Sequence, residues 1–374
     1  MVAFIACGTI VASPAFAQNA QKLREPTVTP LHGSSAGRDH GCLTRMHPED
    51  IDVARFLHRI GAYHLAVPLP RFIPQIPLTI HVVRETDGTG ADLSMAEIDE
   101  TIADANERMA QLGMIVFQRG ATRFIDDSGF LHIDNEFEMD LLRLTDNIAN
   151  TINIYFVDEI TLFFGDVSCA VSTFSFQPTQ GIVFKKSCTA QGGNDHTFAH
   201  EIGHYFDLHH THATYFGEEC PDGSNCESAG DQVCDTPADP NCDEIVDRTS
   251  CEYEGTEERC GDPFQPDTHN QMAYVGRCAD FFTPQQKSRA LATLLNIRPS
   301  LFDLGNPTVV WVDFGYAGLS DGSYGRPWPT LDAARDHVSM GGRVVMRPGN
   351  SGETLVLSDE LILDSFRGSA VIGH

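Results

Sequence analysis

Positive charge is scarce in this chain. Its 374 residues hold 25 Lys and Arg against 52 Asp and Glu, a formal net charge of −27. An excess of that size repels nucleic acid and keeps a protein in solution, so nucleic acid is excluded as a partner. Long apolar runs are also lacking. Residues 1–17 form one such run, but it is interrupted and shorter than the roughly 20 residues a bilayer span requires, so no stable membrane span is expected. The run lacks the usual basic start, yet it ends in Ala15-Phe16-Ala17, the small-x-small pattern of a signal-peptidase site, and export is the expected consequence. Paired C-x-x-C spacings are absent too, which argues against a thiolate zinc site among the cysteines.

What is present is cysteine and acid, concentrated together. Eleven cysteines are unusual for a reduced cytosol and normal for a secreted protein. Loss of Cys7 with a signal peptide leaves an even set of ten: Cys42, Cys169, Cys188, Cys220, Cys226, Cys234, Cys242, Cys251, Cys260 and Cys278. Between Asp207 and Asp262 stand sixteen acidic residues against Arg248 and Arg259. Such a loop is too long and polar to hold itself by a core, and disulfides would compensate.

Just before that loop, residues 197–212 contain His200, Glu201 and His204 in an H-E-x-x-H motif. Positions i and i+4 share one face of a helix, so two imidazoles at that spacing can bind one small cation together. Glu201 then lies beside the metal, free to handle protons. His210, six residues past His204, is the candidate third ligand, and three protein ligands plus a water make a catalytic zinc site. H-E-x-x-H also opens sites completed by a distant glutamate, so the third ligand has an alternative. His196, His209 and His212 miss the spacing and are assigned solvated or supporting roles.

The extended pattern H-E-x-x-H-x-x-D-x-x-H resembles that of the metzincins, in which glycine normally stands where Asp207 stands here. The turn needs a left-handed backbone, which Asp tolerates at a strain of order 1 kcal/mol. Downstream, Asn270, Met272, Tyr274, Cys278 and Phe-Thr-Pro-Gln-Gln at 282–286, with Gly-Asp-Gln-Val-Cys-Asp-Thr-Pro at 230–237, bring the resemblance to the pappalysin-like (cytophagalysin and ulilysin type) proteases. The resemblance implies that His200, His204 and His210 bind one zinc ion and that Glu201 is general base and acid. It further implies that Tyr274 supports the tetrahedral intermediate and that Met272 forms the methionine turn beneath the metal. A packing role is the alternative for Tyr274. It also implies that Cys278 pairs with Cys242, Cys251 or Cys260, with Cys169–Cys188 tying a hairpin before the zinc helix.

The resembled family often carries calcium in the acidic loop, and Asp231, Asp235 and Thr236 are the candidate ligands, set against a merely solvated acidic face. Cys42 is a candidate cysteine switch: a thiolate in zinc's open position would keep a zymogen silent. Ordinary disulfide pairing competes, because spending Cys42 on zinc leaves one of the nine others unpaired.

Periodicity supplies the fold. Leu78, Ile80 and Val82 alternate as a strand, and Ser94-Met-Ala-Glu97 caps a helix whose Ile98, Ile102, Ala105, Met109 and Leu112 repeat at helical spacing. Apolar runs at 114–117, 152–157, 170–174 and 182–184 predict further strands, and Thr283 caps a last helix through Leu294 and Leu295. The expected organisation is a signal peptide (1–17), a prosegment (18–75), an α/β (α+β) metzincin-like catalytic domain with a mixed sheet, backing helix and zinc helix (76–300), and a C-terminal all-β segment (306–374). That last segment resembles the opening coils of a right-handed parallel β-helix, with a small sandwich or docking appendage as the alternative. The function expected is a secreted zinc metalloendopeptidase acting on extracellular proteins or peptides. A catalytically silent surface or adhesive protein presenting its β-segment is the alternative, against which the intact set of His200, Glu201, His204 and His210 argues.

Overall fold

A computed structural model of the protein describes residues 39–65, 73–162, 166–189, 195–301, 309–318, 320, 322–338, 341–354 and 361–373. The signal peptide expected at 1–17 and the first part of the expected prosegment lie outside the described residues.

The elements run in chain order as β1 (Asp39–Cys42), α1 (Pro48–Arg59), β2 (Gln75–Arg84), α2 (Met95–Met109), β3 (Ile115–Gln118), β4 (Arg123–Asp126), β5 (His132–Ile133), α3 (Glu136–Leu144), β6 (Ile152–Val157), β7 (Glu159–Leu162), β8 (Asp166–Val171), β9 (Ile182–Lys185) and α4 (Asp195–Tyr205). Two small hairpins, β10–β11 (Val246–Asp247, Glu252–Tyr253) and β12–β13 (Glu258–Arg259, Asp262–Pro263), punctuate the acidic loop before α5 (Pro284–Ala292).

Among the described residues the main sheet has nine strands, in the order β3-β2-β6-β9-β8-β7-β5, with β4 on β2 and β1 on β8. It is mixed: β2, β6 and β9 pair in parallel, while β8 runs antiparallel to β9 and β7. Strand β6 is buried along its whole length, because both sheet faces are covered. One face packs on α2 and α4: Ile98, Ile102, Ala105 and Met109 of α2 and Phe198 and Ile202 of α4 share one buried cluster with Ile80, Ile154 and Phe184 of the sheet. The Ser94 hydroxyl accepts from Glu97 N while the Glu97 carboxylate accepts from Ser94 N, so α2 begins with the capping box expected.

Two expected elements are shifted. Strand β8 stops at Val171, not at 174, because the backbone donors beyond it find side-chain partners: Ser172 N donates to Thr44 Oγ1 at 2.8 Å and Ser175 N to Asp207 Oδ1 at 2.8 Å. The helix expected to close the chain's central domain is regular to Ala292 and widens into a π turn over Thr293–Ile297, which carries Leu294 and Leu295.

The C-terminal segment pairs β14 (Val309–Val312), β15 (Arg343–Met346) and β17 (Ile362–Ser365) in parallel, and β16 (Gly349–Ser351) in parallel with β18 (Ala370–Ile372). It is not all-β. A short helix α6 (Leu331–Asp336), capped by Thr330, lies over β14 and β15, with Leu331 and Ala334 buried among Val310, Val312 and Val344.

Cysteine usage divides eight to two among the described residues. Cys169–Cys188, Cys220–Cys260, Cys226–Cys234 and Cys251–Cys278 are bonded, and Cys42 and Cys242 are free and buried.

Candidate active site

Helix α4 sets His200 and His204 one turn apart on the same face, and the chain reverses at Asp207 to return His210 beside them. Asp207 has φ +60, the left-handed conformation expected of it. The three Nε2 atoms converge at 3.1 Å (His200–His204), 3.0 Å (His204–His210) and 3.2 Å (His200–His210). Nitrogens about 2.0–2.1 Å from a tetrahedral zinc ion lie roughly 3.3 Å apart, so the triangle has the right size.

In His200 and His204 the other ring nitrogen is committed. His200 Nδ1 lies 2.7 Å from Gln271 O and His204 Nδ1 2.7 Å from Leu208 O, so each Nδ1–H donates to a carbonyl and leaves a lone pair on Nε2. Burial pushes His200 down to about 3 and holds His204 and His210 well below the ordinary imidazole range, so all three are neutral, as metal ligands must be. Among the described residues, one group of His, Cys or carboxylate donors gathers closely enough to hold an ion. It is Cys42, His200, His204 and His210, with ligand atoms within 4.8 Å of one another and Cys42 Sγ 3.4 Å from His204 Nε2. Three imidazoles and a sulfur make a donor set that suits zinc.

Glu201 is fully buried beside them, and burial lifts its carboxyl to about 7. Its Oε2 accepts the Thr44 hydroxyl at 3.0 Å, and its Oε1 is buried with no protein partner, the stance of a base awaiting a proton donor. Tyr274 borders His210 with ring centroids 4.6 Å apart and donates its hydroxyl to Cys42 O at 2.6 Å. Met272 lies under the helix, fully buried; a Cβ built on Gly203 would stand 2.6 Å from its Sδ, so only glycine lets Met272 come this close.

The other histidines form walls. His209 Nε2 accepts from Arg289 Nη2 at 2.7 Å, and His212 stacks on His210 at 4.9 Å. The calcium candidates do not share one focus. Asp231 is sealed by Thr236 Oγ1 and Val233 N, whereas Asp235 Oδ2 accepts Gln285 N at the start of α5, so calcium there gains no support.

Thr44 is a contact of this site that motif spacing does not reveal. It stands two residues after Cys42, and in extended chain such residues share a side, so the same segment that aims a sulfur at the histidines also aims a hydroxyl at Glu201.

Residues 173–295 match the peptidase family described as pregnancy-associated plasma protein-A. Over these residues the chain is similar to the pappalysin-like metalloproteases. Such enzymes are zinc-dependent peptide-bond hydrolases. Over 230 residues the protein is 25% identical to an extracellular metalloprotease of Podospora anserina, covering 57% of this chain and 71% of that one. It is 28% identical over 232 residues to an extracellular metalloprotease of Colletotrichum graminicola, covering 57% and 74%. The fold is similar to that of a promirolysin variant from Tannerella forsythia, with a TM-score of 0.53 and 18% identity over 70% of this chain and 97% of that one. Among the described residues no helix is long and apolar enough to cross a membrane.

Proposed function

We propose that the protein is a secreted metalloendopeptidase of extracellular proteins or peptides, described here in its latent form. The expected boundaries, a signal peptide at 1–17, a prosegment at 18–75 and a catalytic domain at 76–300, are part of this reading. The observation that carries it is a triple occupation of the site by one short segment. Cys42 Sγ joins the three histidines, Thr44 Oγ1 holds Glu201, and Cys42 O takes the Tyr274 hydroxyl. A segment built only for packing has no reason to meet metal site, base and phenol at once. Its strand β1 also covers the free edge of β8, pairing Asp39 with Val167 and Cys42 with Ala170. An extended peptide substrate would use such an edge.

His200, His204 and His210 would hold the zinc. When bound it would lower the pKa of a water to about 7 and polarise the scissile carbonyl. The protein's own groups do the rest. With Thr44 gone, Glu201 takes a proton from the attacking water and passes it to the leaving amine, the two tasks of a carboxylate beside the metal site. Released from Cys42 O, the Tyr274 hydroxyl donates to the developing oxyanion, being held neutral by burial. The Gln271 and Leu208 carbonyls keep the imidazoles aimed throughout.

The test is zinc stoichiometry together with casein proteolysis on the chain freed of its N-terminal segment, beside a Glu201→Ala control. One zinc per chain, with activity lost only in the control, is expected. Zinc retained with no turnover in either protein would overturn the reading.

A further inference from the structure

The segment that plugs the cleft continues as helix α1, and α1 packs against two stretches of the chain that are far apart in sequence. One side of it, with Val53 and Leu57, belongs to an apolar cluster that includes Phe174, Phe176 and Phe216 of the catalytic domain. The same cluster takes in Val309, Trp311, Val345 and Phe366 from the C-terminal β-segment. Phe56 is the centre of that second contact. Its ring lies 5.6 Å from Trp311 and 5.1 Å, edge-on, from Phe366, and those two rings stand 5.4 Å apart at 89°. Tyr324 closes the group against Trp311 at 4.8 Å. All of Phe56, Trp311 and Phe366 are buried. Edge-to-face aromatic groups of this kind bury large areas with defined geometry.

Charge fixes the register. Arg367, the residue after Phe366, pairs with Asp52 one turn before Phe56. Exposed as it is, the pair adds little energy, but it orients the helix on the β-segment. The β-segment also has a footing on the catalytic domain independent of α1. Arg326 Nε donates to Pro178 O at 3.2 Å, and Gly325 lies so close to Pro178 that a Cβ there would come within 2.3 Å of its Cα. Where the three parts meet, a cavity of about 20 Å³ remains beside Leu57, Phe176, Ile297, Trp311 and Tyr324, room for roughly one water.

We propose that the C-terminal β-segment is a clamp on the latency segment: its Trp311–Phe366–Tyr324 face is an interaction surface whose partner is helix α1, and it holds Cys42 and Thr44 in the catalytic cleft. The role of Cys42 and Thr44 in latency rests on the proposed function above; the docking of α1 on the β-segment does not. Because α1 follows Thr44 by only four residues, any loosening of the helix reaches the plug directly. Activation then requires the helix to leave an aromatic face as well as the sulfur to leave the histidines, and the face is open to the solvent afterwards.

Hydrogen exchange on the full chain carrying Glu201→Ala, where self-cleavage is absent, tests the clamp. Trp311→Ala and Phe366→Ala are expected to speed exchange of residues 48–63 by at least about tenfold while strands β2 and β6 stay protected. Coupling is reciprocal, so Phe56→Ala, which leaves the β-segment's own sequence intact, is expected to speed exchange at 309–312 and 362–366. Unchanged exchange of the partner in both directions overturns the proposal. In the chain with Glu201 restored, Trp311→Ala is expected to raise activity before N-terminal processing. If α1 loosens in exchange but no proteolysis appears even in a Cys42→Ala chain, the clamp stands and the protease reading fails. If Cys42→Ala is active while the exchange of α1 ignores Trp311 and Phe366, the clamp fails alone.

Discussion

Asp207 grips Ser175 with both carboxylate oxygens: Oδ1 accepts the Ser175 N–H at 2.8 Å and Oδ2 accepts its hydroxyl at 2.6 Å. Thr293 Oγ1 adds a longer bond to Oδ2 at 3.4 Å. The residue that departs from the usual glycine thus does two things, accepting φ +60 and tying the turn after the metal helix to the loop after β8. That loop carries Phe174, whose ring meets His204 edge-on at 5.5 Å.

The variants Asp207→Asn, Asp207→Gly and Asp207→Ala should therefore separate turn from tether. Asn keeps an acceptor and tolerates the left-handed region, so it should cost least. Gly relieves about 1 kcal/mol of strain but strands two buried donors worth about 1–3 kcal/mol each, a net loss. Ala loses the tether and keeps the strain, so it should be worst. Denaturant unfolding of the three in a Glu201→Ala background gives the order, and Gly more stable than the parent would refute the tether.

Gly203 and Met272 make the second prediction. Alanine in a helix interior normally gains about 1 kcal/mol over glycine, yet here the added methyl meets Met272 Sδ at 2.6 Å in a fully packed site. Overpacking costs about 1–3 kcal/mol, so Gly203→Ala should destabilise by roughly 1 kcal/mol. In a Met272→Ala background the same change should become neutral or favourable. A double-mutant cycle measures that coupling, and additivity would show that the two residues do not touch.

Much of this was legible because it is local. His200, Glu201 and His204 share one helix, His210 follows at six residues, and the Ser94 and Thr283 caps announce their helices directly. The turn at Asp207 was legible for the same reason, since φ > 0 is a property of one residue. What local pattern could not carry is pairing across the chain. Nothing within reach of Thr44 marks Glu201, 157 positions away, as its partner, and nothing near Phe56 marks Trp311 or Phe366. The end of β8 is not legible for a related reason: its apolar run continues, but its hydrogen bonds are taken over by distant side chains. Disulfides behave likewise. Cys251 was one of three permitted partners for Cys278, and only the fold selects it.

The docking of α1 should weaken as pH rises. Asp50 is buried, receives His47 N and Gln177 Nε2 on Oδ2, and is raised from 3.8 to about 6, chiefly by burial; Glu49 opposes its charge and His47 favours it. A carboxyl whose folded pKa is raised contributes fully below its unfolded value, and that stability is lost as pH climbs through about 6. The shift corresponds to at most about 3 kcal/mol between pH 4 and pH 7. Asp50→Asn should remove the dependence and slow the opening of residues 48–63 at pH 7.5 while changing little at pH 4. Exchange measured at both pH values decides it, and a variant that opens faster at pH 7.5 would mean that the charged form is the stabilising one.

Cys42 and Thr44 should differ in how much latency each supplies. Cys42→Ala removes the sulfur from the histidine cluster, leaving the zinc position to water, so the unprocessed chain should leak more than the parent but stay well below the processed rate, because Thr44 still holds Glu201 and β1 still covers the edge of β8. Thr44→Val keeps the shape of the plug but strands Ser172 N and Glu201 Oε2, two buried groups whose bonds are worth about 1–3 kcal/mol each. That weakens docking without opening the metal position, so leakage should rise by a smaller factor and depend on how often the segment lifts away. Both proteins, once freed of the segment, should share the parent's kcat/KM, because neither residue remains. Peptide hydrolysis before and after processing separates the cases. Equal leakage from the two variants would mean that segment detachment, and not the sulfur, limits activity, whereas silence in both would remove Cys42 and Thr44 from the latency mechanism altogether.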